Sequence, residues 1–161
     1  MTGDEESKTM PNTILIVEDS DLLRRTLQWW LEEEFPGSRV HAAANAEEAR
    51  RLAQTNSPDI VIIDAGPSRT SNLEVVELVN DVTPTTPIIV FTNYELRPPF
   101  SHPLIELENI YLFKKESMLI QLQSTLAAFL PTRPAAGQKS MSSGLRTRPT
   151  RAVLVSSPAQ V

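Results

Sequence analysis

Ile60-Val61-Ile62-Ile63-Asp64 decides the fold. Four large apolar residues follow one another with no polar alternation, as in a strand covered on both faces, and the run ends abruptly on a carboxylate. Ile14-Leu15-Ile16-Val17 repeats the pattern and ends on Glu18-Asp19. If the two runs are neighbouring strands of a parallel sheet, three carboxylates meet at one edge. Two like charges about 4 Å apart repel by roughly 4 kcal/mol at an effective dielectric near 20, so something positive must offset them. Mg²⁺ fits that need: it is a hard ion, held by one or two carboxylates, with waters and phosphate oxygens completing its octahedron. The residues therefore point first to magnesium-assisted phosphate chemistry.

Outward from these two runs, short apolar stretches alternate with segments of helical period, the pattern of βα units around a parallel sheet. Strands are predicted at 14–17, 39–43, 60–63, 88–91 and 110–113. Arg39-Val40-His41-Ala42 is the most polar of them and suits a sheet edge. The first helix begins at the N-cap Ser20, carries Leu22, Leu23, Leu27, Trp30 and Leu31 on one stripe, exposes Glu32 to Glu34, and stops at Pro36-Gly37. The second spans about Ala46 to Gln54 with Ala46, Ala49, Leu52 and Ala53 inward. The third lies around Leu73 to Asp81 and packs Leu73, Val76 and Val79. The fifth runs from Ser117 to Leu130 with Leu119, Leu122, Leu126 and Phe129 inward. Where a fourth helix belongs, Pro98, Pro99 and Pro103 intervene, and proline inside a helix costs about 3 kcal/mol or more. That helix is expected to be irregular. The fold class is α/β: a flavodoxin-like, doubly wound, five-stranded parallel sheet in the order 2-1-3-4-5, with helices on both faces.

Composition bounds the rest. The chain of 161 residues has room for one domain of common size. It contains no cysteine, which excludes disulfides and thiolate metal sites, and its two histidines make a zinc site a poor fit. No apolar run reaches the ~20 residues of a membrane helix, and MTGDEESKTM is acidic where a secretory signal would be basic and then apolar. A soluble, cytoplasmic protein is expected. Residues 1–130 hold all 20 acids and 10 of the 15 bases, a balance of −10, whereas residues 131–161 hold no acid and five bases, +5. That last segment has four prolines and few large apolar residues, too little surface to offset its ordering entropy. The expected organisation is a disordered segment over 1–12, a folded domain over 13–130 and a basic, Pro/Ser-rich disordered tail over 131–161. Five positive charges invite a nucleic-acid reading, but the tail has no aromatics for base stacking and no helix-turn-helix pattern, so nucleic acid is not the expected partner.

In open α/β sheets ligands bind beyond the carboxyl ends of the strands, where strand order reverses. In the order 2-1-3-4-5 that point lies between strands one and three, which end in Glu18-Asp19 and Asp64. Strand four ends in Thr92 and strand five is followed by Lys114, so the same edge gains a hydroxyl and an ammonium. Each has a role if Asp64 is a nucleophile toward a phosphoryl group, because that transfer is catalysed mostly by positioning and charge neutralisation. Glu18, Asp19, Asp64 and the backbone carbonyl of Gly66 would hold Mg²⁺. Lys114 would pair with Asp64 before phosphorylation and with a phosphate oxygen after it, and Thr92 would donate its hydroxyl to another.

On these residues the chain resembles the receiver domain of two-component response regulators, from Thr13 to Leu130. The matching motifs are the acidic pair in ILIVEDSD, the acceptor in DIVIIDAG, the threonine in PIIVFTN and the lysine in IYLFKKES. Leu73-Glu74 also keeps the family's spacing from the acceptor. The resemblance implies a CheY-like phosphoprotein of a phosphorelay that takes a phosphoryl group from a sensor histidine kinase or histidine phosphotransfer protein as 4-aspartylphosphate on Asp64. It would then switch a surface for an unknown downstream protein. Thr92 is implied as the switch residue and Tyr111 as the aromatic that moves with it. The implied protein is a single-domain regulator, a monomer or weak homodimer, and no enzyme beyond assisting its own phosphorylation and dephosphorylation. Departures are Ser68 for proline, Asn72 for glycine and Asn93 for a small residue. Asn72 can adopt the left-handed conformation that glycine supplies, and Asn93 bears on dephosphorylation rate. Asn93 and the prolines of the fourth-helix segment also suit a second reading, a phosphorylation-independent interaction module on the same fold. A third, an aspartyl-nucleophile hydrolase, lacks a second general acid/base and a substrate cap. His41, His102, Trp29 and Trp30 are read as surface or packing residues.

Overall fold

The computed structural model describes residues 11–64, 69–92 and 107–130, with only the backbone described at 69–73, 92 and 117. In chain order the elements are β1 (Thr13–Val17), α1 (Asp21–Glu34), β2 (Arg39–Ala43), α2 (Ala46–Asn56), β3 (Ile60–Asp64), α3 (Arg69–Val82), β4 (Ile88–Thr92), β5 (Ile110–Lys114), a 3₁₀ turn (Lys115–Ser117) and α4 (Met118–Phe129). All pairings are parallel and the order is β2-β1-β3-β4-β5, as the sequence predicts. The irregular helix expected around Pro98, Pro99 and Pro103 lies outside the described residues, as do residues 1–10 and the tail 131–161.

Alternation along each strand splits the core into two layers. Leu15, Val17, Val61, Ile63, Ile88 and Val90 face α2 and α3, where Ala49, Ala53, Val76 and Val79 cover them. Ile14, Ile16, Ile60, Ile62, Ile89 and Phe91 face the other way, onto Leu27 and Leu31 of α1 and Leu122 and Leu126 of α4. The all-apolar strands are thus buried on both sides, whereas β2 sits at the edge and is only partly covered.

Local chemistry sets the helix ends. Asn45 Oδ1 accepts from the Glu48 N–H at 3.0 Å while Glu48 Oε2 accepts from the Ala44 N–H at 2.9 Å, a reciprocal cap that starts α2. Ser57 ends it in the left-handed conformation at φ 46°, ahead of Pro58, so α2 runs two residues past Gln54. Gly37, at φ +92°, turns the chain from α1 into β2. Ser20 takes the N-cap position of α1, but its side chain caps nothing.

Two helical stripes differ from expectation. Leu27 and Leu31 are buried and Trp30 is half-buried, yet Leu22 and Leu23 are 74% and 47% exposed; on α4, Leu122 and Leu126 are buried while Leu119 is 51% exposed. Leu23 and Leu119 lie on those stripes but in the first turns of α1 and α4, where they border open space beside Glu18 and Asp64, whereas Leu22 sits about 140° round the helix from Leu27.

Candidate phosphoacceptor site

The last rung between β1 and β3 pairs Val17 with Ile63, so the next residues, Glu18 and Asp64, stand side by side where strand order reverses. Both follow the alternation of Ile14-Ile16 and Ile60-Ile62 and belong to the α1–α4 side of the sheet. Both are buried, Glu18 at 4% and Asp64 at 6% exposure.

Backbone contacts fix Glu18. Its N–H donates to the Ala43 carbonyl at 3.0 Å, which carries the β1–β2 ladder one residue past the strand. Its Oε1 accepts from the Ser20 N–H at 2.8 Å, and its carbonyl accepts from Arg24 Nη1 at 2.9 Å. Arg24 also reaches the Asp19 carbonyl at 3.4 Å and pairs with Asp21, so one guanidinium ties the turn after β1 to the first turn of α1. Burial pushes the Glu18 carboxyl up to about 7 from an ordinary 4.5, helped by hydrogen bonds to Asp64 and Asp19 and opposed by the Ser20 N–H. The Glu18 carboxyl therefore keeps its proton well above the ordinary carboxylate range.

The cation beside Asp64 is not the one the motif suggests. Lys115 Nζ lies 2.6 Å from Asp64 Oδ1, with side chains 28% and 2% exposed, respectively. Lys114, which was expected to make this pair, ends β5 in register with Thr92 and is exposed. Tyr111 and Phe113 face the α1–α4 side, so alternation turns Lys114, the last strand residue, away from it, and the 3₁₀ turn that follows brings Lys115 onto it. The doublet Lys114-Lys115 carried this signal in the sequence, but the motif match drew attention to the first lysine alone.

The remaining predicted residues are placed as follows. Asp19 is exposed at the rim. Thr92 is the last residue of β4, and Gly66, Ser68 and Asn93 lie outside the described residues. Tyr111 is buried and packs edge-on against Phe129 at a centroid distance of 5.2 Å. A cleft of about 570 Å³ opens over Glu18, Asp64 and Lys115, between the first turns of α1 and α4, and is walled by Leu23, Trp29 and Leu119.

Among the described residues, no group of three or more acidic, histidine or cysteine side chains is set to hold a metal. Mg²⁺ does not need three, since one or two carboxylates with waters suffice. Two adjacent buried carboxyls fit it, the more so because Asp64 Oδ1 lacks an aligned hydrogen bond even with Lys115 close by. No helix among the described residues is long and apolar enough to cross a membrane.

Comparison with known proteins agrees with the fold. The transcriptional regulatory protein SrrA of Staphylococcus aureus is 35% identical over 83 residues, covering 52% of this chain and 33% of SrrA. The chain thus spans about a third of the length of the curated relatives it matches. Among solved structures, the Vibrio cholerae chemotaxis protein CheY4 matches with a TM-score of 0.61 at 25% identity, over 74% of this chain and 99% of that one. A LuxR-family two-component response regulator from Aurantimonas matches with a TM-score of 0.60 at 26% identity, over 73% of this chain and 84% of that one. Receiver domains are signalling domains of two-component systems, with aspartylphosphate and Mg²⁺ as general features of the family. The profile of the response regulator receiver domain matches residues 14–126, and the chain belongs to that family.

Proposed function

We propose that this chain receives a phosphoryl group on Asp64 and passes the change in charge to a protein-binding surface. The observation that carries this reading is Asp64 itself: a buried carboxylate at the strand-order reversal, with one oxygen lacking an aligned hydrogen bond, an acid on one side and an ammonium on the other. Burial of that kind is costly unless the site serves a further ligand. Glu18, Asp19, Asp64 and the Gly66 carbonyl are the residues that would hold Mg²⁺. When bound, the ion supplies positive charge against the phosphoryl oxygens.

The protein's own contribution is positional. Arg24 and the Ser20 N–H orient Glu18, and the β1–β3 ladder sets Asp64 beside it. Thr92 and an ammonium at the end of β5 serve the phosphoryl oxygens, and Tyr111 relays the change toward Phe129 and α4. The phosphodonor is a phosphohistidine of a sensor kinase or phosphotransfer protein in the cytoplasm, and the recipient of the switched surface is another protein. The receiver unit occupies residues 13–130, with the basic segment 131–161 serving partner binding or solubility. Beyond its own phosphorylation and dephosphorylation the chain is no enzyme.

The test is intact mass after incubation with Mg²⁺ and a small phosphodonor such as acetyl phosphate. One phosphate adduct, labile to hydroxylamine and absent from Asp64→Asn, is expected. Absence of an adduct with every donor, in a folded protein, would favour the phosphorylation-independent module; continuous turnover of the donor would favour a hydrolase.

A further inference from the structure

Two lysines follow one another at the carboxyl end of β5, and their register separates them. Tyr111 and Phe113 pack in the α1–α4 layer, whereas Ile110 packs in the α2–α3 layer with Leu112 against it. Alternation assigns Lys114, the last strand residue, to the α2–α3 side, and the ion pair with Asp64 puts the Lys115 ammonium on the side where Glu18 and Asp64 stand. Lys115 also opens the 3₁₀ turn that leads into α4, and its ammonium lies 2.6 Å from Asp64 Oδ1 over a carboxylate that is 2% exposed. An ammonium so close to a buried acid neutralises it more effectively than one in bulk water, because the local dielectric is low.

We infer that Lys115, one residue beyond the position that the receiver motif designates, is the catalytic ammonium of this site: it neutralises Asp64 before transfer and meets the phosphoryl oxygens after it. The inference rests on the reading of Asp64 as the acceptor. In the transfer, a lone pair of an Asp64 carboxylate oxygen forms the O–P bond. The donor's P–N bond (phosphohistidine) or P–O bond (acyl phosphate) breaks, and its electron pair leaves with the donor. A leaving imidazole takes its proton from solvent. Lys115 keeps its proton throughout and contributes charge alone, so arginine should substitute for it and a neutral side chain should not.

The experiment compares initial rates of phosphate incorporation from acetyl phosphate with Mg²⁺ in the wild-type chain, Lys115→Ala, Lys115→Arg and Lys114→Ala. Lys115→Ala should lose at least about tenfold, while Lys115→Arg and Lys114→Ala stay within about threefold of wild type. A larger loss in Lys114→Ala, or equal losses in the two alanine variants, overturns the inference. Urea unfolding of Asp64→Asn, Lys115→Gln and the double variant supplies a measurement that needs no phosphorylation. Non-additive stability changes for that pair, with additive ones for Asp64→Asn and Lys114→Gln, are expected, and the reverse pattern overturns the inference. No incorporation in the wild type would contradict the acceptor reading, and the urea cycle would still decide which lysine pairs with Asp64.

Discussion

Glu18 and Asp64 stand side by side at the ends of adjacent strands, one rung beyond the Val17–Ile63 pair, with both carboxyls buried. That relationship gives the site its pH dependence. Glu18 titrates near 7 in the folded chain against an ordinary 4.5, so between those values the folded state holds the extra proton. Stability without Mg²⁺ should therefore fall as pH rises from about 4.5 to about 7 and level off above, by at most about 3 kcal/mol. Urea unfolding across pH 5 to 8 checks this, and Glu18→Gln should flatten the profile.

Mg²⁺ binding should follow the opposite course. An ion that takes up the Glu18 carboxylate must displace its proton, so affinity should rise between pH 6 and 8 with proton release. Calorimetric titrations in buffers of different ionisation enthalpy measure both quantities.

Arg24→Ala should weaken Mg²⁺ binding without removing any carboxylate. The guanidinium holds the Glu18 carbonyl at 2.9 Å and the Asp19 carbonyl at 3.4 Å, and loss of such supporting contacts costs on the order of tenfold or more in metal affinity. A titration of the variant against wild type at pH 7.5 decides it.

The helix stripes make a stability contrast. Leu31→Ala removes a fully buried side chain between α1 and the sheet and should cost about 2–5 kcal/mol, whereas Leu22→Ala, at 74% exposure, should stay within about 0.5 kcal/mol. Asn45→Ala removes the α2 cap and should cost about 1 kcal/mol with phosphate incorporation unchanged. Urea midpoints at fixed slope report all three.

The sequence made the sheet legible because its strands are apolar without alternation, and only a doubly covered parallel sheet accounts for such runs in Ile60 to Ile63 and Ile88 to Phe91. Asp64 and Glu18 were legible for the same reason, as carboxylates ending those runs at a predictable edge. Leu23 and Leu119 were misjudged because helical period identifies a stripe but not where the sheet beneath it ends. The Lys115–Asp64 pair was missed because motif spacing counts residues, whereas the side of the sheet a residue faces follows strand parity.

The most direct measurement is the position of the covalent phosphate. After incubation with Mg²⁺ and acetyl phosphate, borohydride reduction converts an aspartyl phosphate to homoserine, and peptide mass spectrometry locates it. Homoserine at position 64 alone is the predicted result; its appearance at Asp19 or any other aspartate, with Asp64 unchanged, would contradict the assignment of Asp64 as the acceptor.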